Sequence, residues 1–171
     1  MPSDTTLTAQ TEIPGWGPMG VMVTPAGLVA VLWGARLAQV APGCNSPRES
    51  ATCAALQTTA QTWLEHLAAY FAGQRRHFPL PIAWDVLRPF QRRVLQAVYA
   101  IPYGETRTYG AIAAQIGQPR AARAVGRAVA TNPMPIVVPC HRVVGAGGKL
   151  HGFSGPGGLQ TKARLLALEQ A

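Results

Sequence analysis

Between Gly20 and Val40 the chain reads GVMVTPAGLVAVLWGARLAQV, three short apolar runs interrupted at Thr24-Pro25-Ala26-Gly27 and at Gly34-Ala35. Runs of this length, rich in β-branched residues and bounded by Pro and Gly, predict strands joined by hairpin turns in an antiparallel sheet. APGCNSPRES, residues 41–50, predicts a loop. From Ala51 to Gln74 the period changes. Leu56, Ala60, Trp63, Leu64, Leu67 and Phe71 recur at helical spacing, which predicts an amphipathic helix covering the sheet. Cys53 and His66 lie on this helix and are read as structural residues. GQRRHFPLPIAW, with two prolines, reads as a crossing segment that cannot be regular helix.

Beyond that segment the pattern is one of short helices. Asp85 is placed to cap a helix through about Ala100, with Val86, Phe90, Val94, Leu95 and Val98 inward. IPYGETR is a turn, Thr108 caps YGAIAAQIG, and a second helix, PRAARAVGRAVA, is expected to start at Pro119 after Gly117. LQTKARLLALEQ closes the chain as an amphipathic helix. The N-terminal MPSDTTLTAQTEIPG lacks the basic start and apolar core of a signal and reads as a loose tail. The expected organisation is α+β: a disordered tail over 1–15, a sheet-plus-helix domain with its linker over 16–84, and a helical domain over 85–171.

Composition narrows the class. The chain has 171 residues, 48% hydrophobic and 13% charged, which suits one domain or two small ones with a real core. No apolar stretch approaches the roughly 20 residues that span a bilayer, so no membrane partner is expected. Three cysteines, an odd count without framework spacing, suggest reduced thiols and a cytoplasmic setting. Charge is polarised. Residues 1–74 set Arg36 and Arg48 against Asp4, Glu12, Glu49 and Glu65, a balance of −2; residues 75–171 carry the remaining 13 Lys and Arg against Asp85, Glu105 and Glu169, a balance of +10, and together these give the net +8. A basic half of this kind suits a polyanion such as nucleic acid, or serves as a solubilising surface.

The helix pair favours the former. Two short helices joined by a few residues, the second basic, outline a helix-turn-helix. Ala122, Val125 and Val129 form its buried stripe, and Arg120, Arg123 and Arg127 repeat the same spacing one face over. Only Ala121, Ala124, Gly126, Ala128 and Ala130 lie between, so the helix is thin enough to approach a groove while its arginines reach phosphates or the base stack. Gly126 in mid-helix costs about 1 kcal/mol relative to Ala, which close contact explains better than stability does.

PIVVPCHRVVGAGGK, residues 135–149, sets a thiol, an imidazole and a guanidinium side by side after a dry aliphatic run. A free thiol is only a few per cent thiolate at neutral pH unless a base or a positive field activates it. His141 is adjacent to Cys140, but neighbours on an extended backbone point to opposite faces. Contact therefore needs a turn at Cys140 or a bridging water, and the water is preferred. Glu169 is the acidic residue placed to orient the imidazole in a Glu–His–water–Cys relay. The plain alternative for Cys140 is a small core hydrophobe. A zinc site through Cys140, His141 and His151 matches no structural spacing and is discounted.

These residues resemble the O6-alkylguanine-DNA alkyltransferases, also called methylated-DNA–protein-cysteine methyltransferases. The resemblance runs over roughly residues 85–169, through IPYGETRTYGAIA, AARAVGRAVATNP, PCHRVV preceded by TNPMPIVV, and KARLLALE, and is weaker but compatible before that. It implies a ribonuclease-H-like N-terminal domain and a winged-helix-like helix-turn-helix that enters the minor groove of duplex DNA. It also implies extrusion of an alkylated guanine, because a stacked base hides its O6 substituent. By similarity Cys140 is the acceptor thiolate, His141 takes the thiol proton through water, and Glu169 orients it. Tyr109 donates to the departing guanine, and Asn132 joins the recognition helix to the cysteine loop. Backbone at Cys140, Val143 and Ser154 reads the guanine edge, with Pro139 lining the pocket. Arg123 fills the hole left in the duplex, with Arg120, Arg127, Ala124, Gly126 and Thr108 alongside it on DNA. The product thioether has no route back, so each molecule reacts once. No cofactor and no metal are implied, and the partner is double-stranded DNA carrying alkylated guanine, met by a monomer that can assemble along DNA. Gly155-Pro156 in GFSGPGGL reads as extra residues relative to the family's loop. Two other readings stay open: a helix-turn-helix regulator or damage sensor without catalysis, and a cysteine hydrolase.

Overall fold

The computed structural model describes residues 5–46 and 50–171, in two compact units, Met1–Trp84 and Asp85–Ala171. In the first unit, strands β1 (Leu7–Ile13), β2 (Gly17–Thr24), β3 (Gly27–Trp33) and β4 (Gly43–Cys44) form one antiparallel sheet in the order β3-β2-β1-β4. Two expectations change here. Residues 7–13 are a strand in full register with β2, from Leu7 opposite Val23 to Ile13 opposite Gly17, where a loose tail was expected; residues 1–4 of that tail lie outside the described residues. Pro14-Gly15 is the turn of that hairpin, with Trp16 N–H donating to the Ile13 carbonyl at 2.9 Å. The third apolar run contains no strand. After Gly34 it turns into a short helix, α1 (Ala35–Ala38).

Helix α2 (Ala51–Phe71) starts at Ser50, whose hydroxyl accepts from Cys53 N at 3.1 Å. It buries Leu56, Ala60, Trp63, Leu64, Leu67 and Phe71 as the spacing predicts. Trp63 stacks on Phe78 at 6.0 Å between centroids. The expectation of three reduced thiols is corrected: Cys44 and Cys53 form a disulfide, with Cα atoms 6.1 Å apart. Pairing of Cys44 with Leu7 at the sheet edge and the first turn of α2 bring the two together, a juxtaposition that a sequence separation of 9 conceals. Residues 47–49, within the expected loop, lie outside the described residues.

In the second unit, α3 (Pro89–Tyr99) begins at Pro89 after a single 3-10 turn at Trp84–Val86. Asp85 therefore does not cap it but pairs with Arg92, and Val86 is exposed while Leu87 is buried in its place. Phe90 is half-buried. Helix α4 (Tyr109–Gln115) is capped by Thr108, whose Oγ1 accepts from Ala111 N at 3.0 Å. Helix α5 (Ala122–Ala130) starts three residues after Pro119, which belongs to the turn that Gly117, at φ +75°, opens. Residues Val125, Ala128 and Val129 are its buried face, with Ala122 half-buried. Strands β5 (Arg107–Thr108) and β6 (Val143–Val144) pair in parallel, and α6 (Leu159–Gln170) closes the unit. No helix of the described residues is long and apolar enough to cross a membrane.

The crossing segment is held against β3. Leu28 N–H donates to the Pro81 carbonyl at 3.0 Å, and Ala83 N–H to the Leu28 carbonyl at 2.9 Å. Gly27 has φ +126°, and a Cβ there would run into the backbone of Pro81. Gly27→Ala should therefore destabilise the first unit by about 2 kcal/mol or more in urea unfolding followed by tryptophan fluorescence. A change under about 0.5 kcal/mol, the range of ordinary surface substitutions, contradicts this.

Candidate active site

The approach to Cys140 is built from prolines. Pro133, Pro135 and Pro139 fix their own φ, and each disfavours the helical region for the residue before it, so Asn132, Met134 and Val138 are restricted as well. Freedom to turn is left to Ile136 and Val137. Ile136 takes it at φ +74°, a conformation a β-branched residue adopts only when its surroundings force it. Asn132 braces both ends of the loop: its Oδ1 accepts from Met134 N at 2.9 Å, and its Nδ2 donates to the Val138 carbonyl at 2.9 Å. That carbonyl also accepts from Cys140 N at 2.8 Å, so the brace is one atom away from the backbone of the cysteine.

Cys140, His141 and Arg142 then form a single 3-10 turn, all three buried. The chain does turn at Cys140, yet the imidazole is directed to Glu169, with Nε2 2.7 Å from Oε1. Arg142 grips the same carboxylate from Nε at 2.9 Å to Oε2 and from a terminal nitrogen at 2.9 Å to Oε1, and gives its other terminal nitrogen to the Ile101 carbonyl at 2.6 Å. Gly104 N–H donates to Oε2 at 3.1 Å. Glu169 shares one buried face of α6 with Leu165 and Lys162. The Lys162 ammonium donates to the carbonyls of Val143 at 2.6 Å and His151 at 2.7 Å.

Charge follows from burial. Burial pushes the Cys140 thiol above its ordinary value, against a hydrogen bond from Asn132 and the positive charge of Lys162. Burial holds His141 below 6.5, against the hydrogen bond and charge of Glu169. A resting neutral thiol next to a neutral imidazole is a state in which the imidazole can accept a proton. Burial also raises Tyr109, with a smaller contribution from Cys140.

Although Cys140 is only 4% exposed, it opens into a cavity of about 440 Å³ walled by Tyr109, Arg123, Gly126, His151, Phe153 and Ser154. That size lies within the roughly 300–1,000 Å³ of ligand pockets. Tyr109 donates to the His151 carbonyl at 3.4 Å. Of the residues expected to meet substrate, Ser154 is on the wall. Pro139 is buried and is not among the wall residues, and the Val143 carbonyl accepts from Lys162 with one of its two lone pairs. Arg123 is exposed at the cavity, while Arg120 and Arg127 are exposed outside it. Ala124 is half-buried, and the Thr108 hydroxyl is committed to its cap. A Cβ at Gly126 would meet the Tyr109 ring at 3.8 Å, ordinary contact, so packing within the protein does not demand glycine there. Sequence reasoning set the Arg142 guanidinium beside the thiol without giving it a role, and missed Lys162 as part of the site. The signal for Lys162 was its place on the same helical face as Leu165 and Glu169, a face polar at two of three positions. Among the described residues no group of three or more His, Cys, Asp or Glu is arranged to hold a metal ion.

Glu169→Ala should destabilise the second unit by about 3–5 kcal/mol, because it leaves the Arg142 guanidinium buried and uncompensated. Chemical unfolding measures this, and a loss below about 1 kcal/mol contradicts the carboxylate's central position.

Comparison with known proteins bears on this geometry. Residues 89–171 match the family model described as 6-O-methylguanine DNA methyltransferase, DNA binding domain. The methylated-DNA–protein-cysteine methyltransferase of Mycolicibacterium paratuberculosis is 58% identical over 109 residues, 63% of each chain; that of Bacillus subtilis, named constitutive, is 48% identical over 106 residues, 62% of this chain and 63% of its own. The match thus spans just under two thirds of the length of these curated relatives. The crystal structure of Mycobacterium tuberculosis O6-methylguanine methyltransferase superposes with a TM-score of 0.74 at 37% identity, over 96% of this chain and 93% of that one. The structure of the Mycobacterium tuberculosis protein in complex with DNA gives 0.74 at 38%, over 95% and 92%. With the α+β architecture, the cysteine turn and these matches together, the chain belongs to the methylated-DNA–protein-cysteine methyltransferase family.

Proposed function

We propose that this protein repairs DNA by moving the alkyl group of O6-alkylguanine in duplex DNA irreversibly onto Cys140, once per molecule. The observation that carries the reading is the free thiol at the foot of a cavity, with the His141–Glu169 pair behind it and the exposed Arg123 of α5 at its wall. The Cys140 sulfur bonds to the alkyl carbon as that carbon's bond to O6 breaks. The thiol proton passes through water to His141; with Nε2 held by Glu169, Nδ1 is the nitrogen that accepts it. Electron density moves onto the guanine, and Tyr109 donates a proton so that the base departs neutral. Asn132 holds the loop that aims the thiol. Backbone at Cys140 and the Ser154 segment meet the guanine edge.

The α4–α5 pair acts as a helix-turn-helix of winged-helix-like type, entering the minor groove with Arg123 inserted where the base was and with Arg120 and Arg127 on phosphates. Extrusion is required, since a stacked guanine presents its O6 group to no side chain. The thinness of α5 around Gly126 suits this approach. The first unit is read as a ribonuclease-H-like support, and chromosomal DNA as substrate places the protein in the cytoplasm.

Mixing the protein with a duplex containing O6-methylguanine should raise the intact protein mass by one methyl group, and Cys140→Ala should show no gain. Retained binding without mass gain would indicate a damage sensor instead. Arg123→Ala should slow repair in duplex far more than reaction with free O6-benzylguanine; equal slowing of both contradicts the plug. His141, held below 6.5, keeps its proton-accepting form at lower pH than an ordinary histidine. The acid limb of the rate with free O6-benzylguanine should therefore have its midpoint below pH 6.5. A midpoint above that value contradicts the role given to His141.

A further inference from the structure

Helix α5 and the cysteine loop meet at one residue, Thr131, the C-cap of the helix. On the helix side, Thr131 N–H donates to the Arg127 carbonyl at 3.2 Å, and its hydroxyl donates to the same carbonyl at 3.1 Å. On the loop side stands Asn132, whose backbone Pro133 restricts and whose side chain braces the chain as far as Val138. A change of angle between helix and loop therefore falls on Thr131. Its carbonyl belongs to the end of the helix, where carbonyls have no intrahelical partner.

A third element takes hold of that joint. Gln91, in the first turn of α3, directs its amide nitrogen at the Thr131 carbonyl at 3.1 Å and at the Thr131 hydroxyl at 2.9 Å. A glutamine amide carries two N–H donors, one for each oxygen. The clamp has a fixed base, because Val94 and Leu95, one turn further along the same side of α3, are fully buried. Arg93 does likewise for α4, donating to the Ile116 carbonyl at 2.6 Å at that helix's end. Arg93 carries a charge that DNA would itself attract. Gln91 carries none, and it is not among the residues walling the Cys140 cavity.

We propose that Gln91 is a positioning residue for alkyl transfer, one that clamps both oxygens of Thr131 and so fixes the angle between α5 and the loop carrying Cys140. The inference rests on the alkyl-transfer reading. A base extruded from duplex is brought by α5, while the thiol is aimed by the loop. The two must keep one fixed relation for the alkyl carbon to meet sulfur. A free base needs only the cavity and the thiol, which the Asn132 bonds hold without Gln91. The clamp thus matters for duplex substrate and not for free base.

The test measures single-turnover methyl transfer from O6-methylguanine in a duplex against protein concentration, beside the reaction with free O6-benzylguanine. Rates are expressed per active thiol, and thermal melts check folding. Gln91→Ala should lower the saturated duplex rate by about fivefold, the factor that one net hydrogen bond is worth. The half-saturating concentration and the free-base rate should stay unchanged. Gln91→Lys keeps an N–H donor, with a charge favoured at a helix C-terminus, and should recover the saturated rate. Equal loss with duplex and free base, an unchanged saturated duplex rate, or a loss that Gln91→Lys does not recover overturns the inference and leaves alkyl transfer standing. Failure of wild type to transfer methyl overturns the alkyl-transfer reading itself.

Discussion

The Glu169 carboxylate is the contact on which the site depends. It is buried on α6, and it accepts from His141, Arg142 and the Gly104 backbone together. A buried carboxylate is costly unless its lone pairs are satisfied, and here the donors that satisfy it come from two segments, the Cys140–Arg142 turn and the turn at Gly104, which it ties to α6. The imidazole gains an orientation, the guanidinium gains a counter-charge, and the turn before α4 gains an anchor. Burial above all, with a smaller contribution from the charge of Arg142, keeps His141 neutral beside a carboxylate, which is the condition for proton acceptance.

The cysteine loop solves a related problem by stiffness. Three prolines, a two-ended asparagine brace and a strained Ile136 leave the backbone ahead of Cys140 with almost no alternative conformation. Rigidity of this kind costs stability locally and holds the sulfur at the foot of the cavity. The opposite wall is set by different means, with a buried lysine drawing carbonyls together. One side of the cavity is thus fixed by backbone restriction and the other by a side chain.

Much of this was legible in the residues. The antiparallel strands over 20–33, the covering helix, the Thr108 cap and the closing helix all follow from period and turn chemistry, and PCHRVV marked the thiol. The rest was hidden for physical reasons. β1 carries Thr, Ala, Gln and Glu between its apolar ends, so its alternation is weak and only pairing with β2 reveals it. The disulfide depends on a two-residue strand that no periodicity signals. Asp85 lost its capping role because Pro89 starts the helix four residues later. Lys162 escaped notice because a charged residue on an amphipathic helix is ordinarily assigned to solvent, and its burial depends on three carbonyls brought from distant segments.

The central claim concerns where one carbon atom goes. A duplex whose O6-methylguanine bears an isotopically labelled methyl, incubated with excess protein and then digested, follows that atom directly. The account predicts the label as S-methylcysteine in the peptide containing Cys140, unmodified guanine in the DNA, and one equivalent transferred per molecule consumed. Label released to solvent with the thiol regenerated, or label still on the DNA beside bound protein, would contradict it.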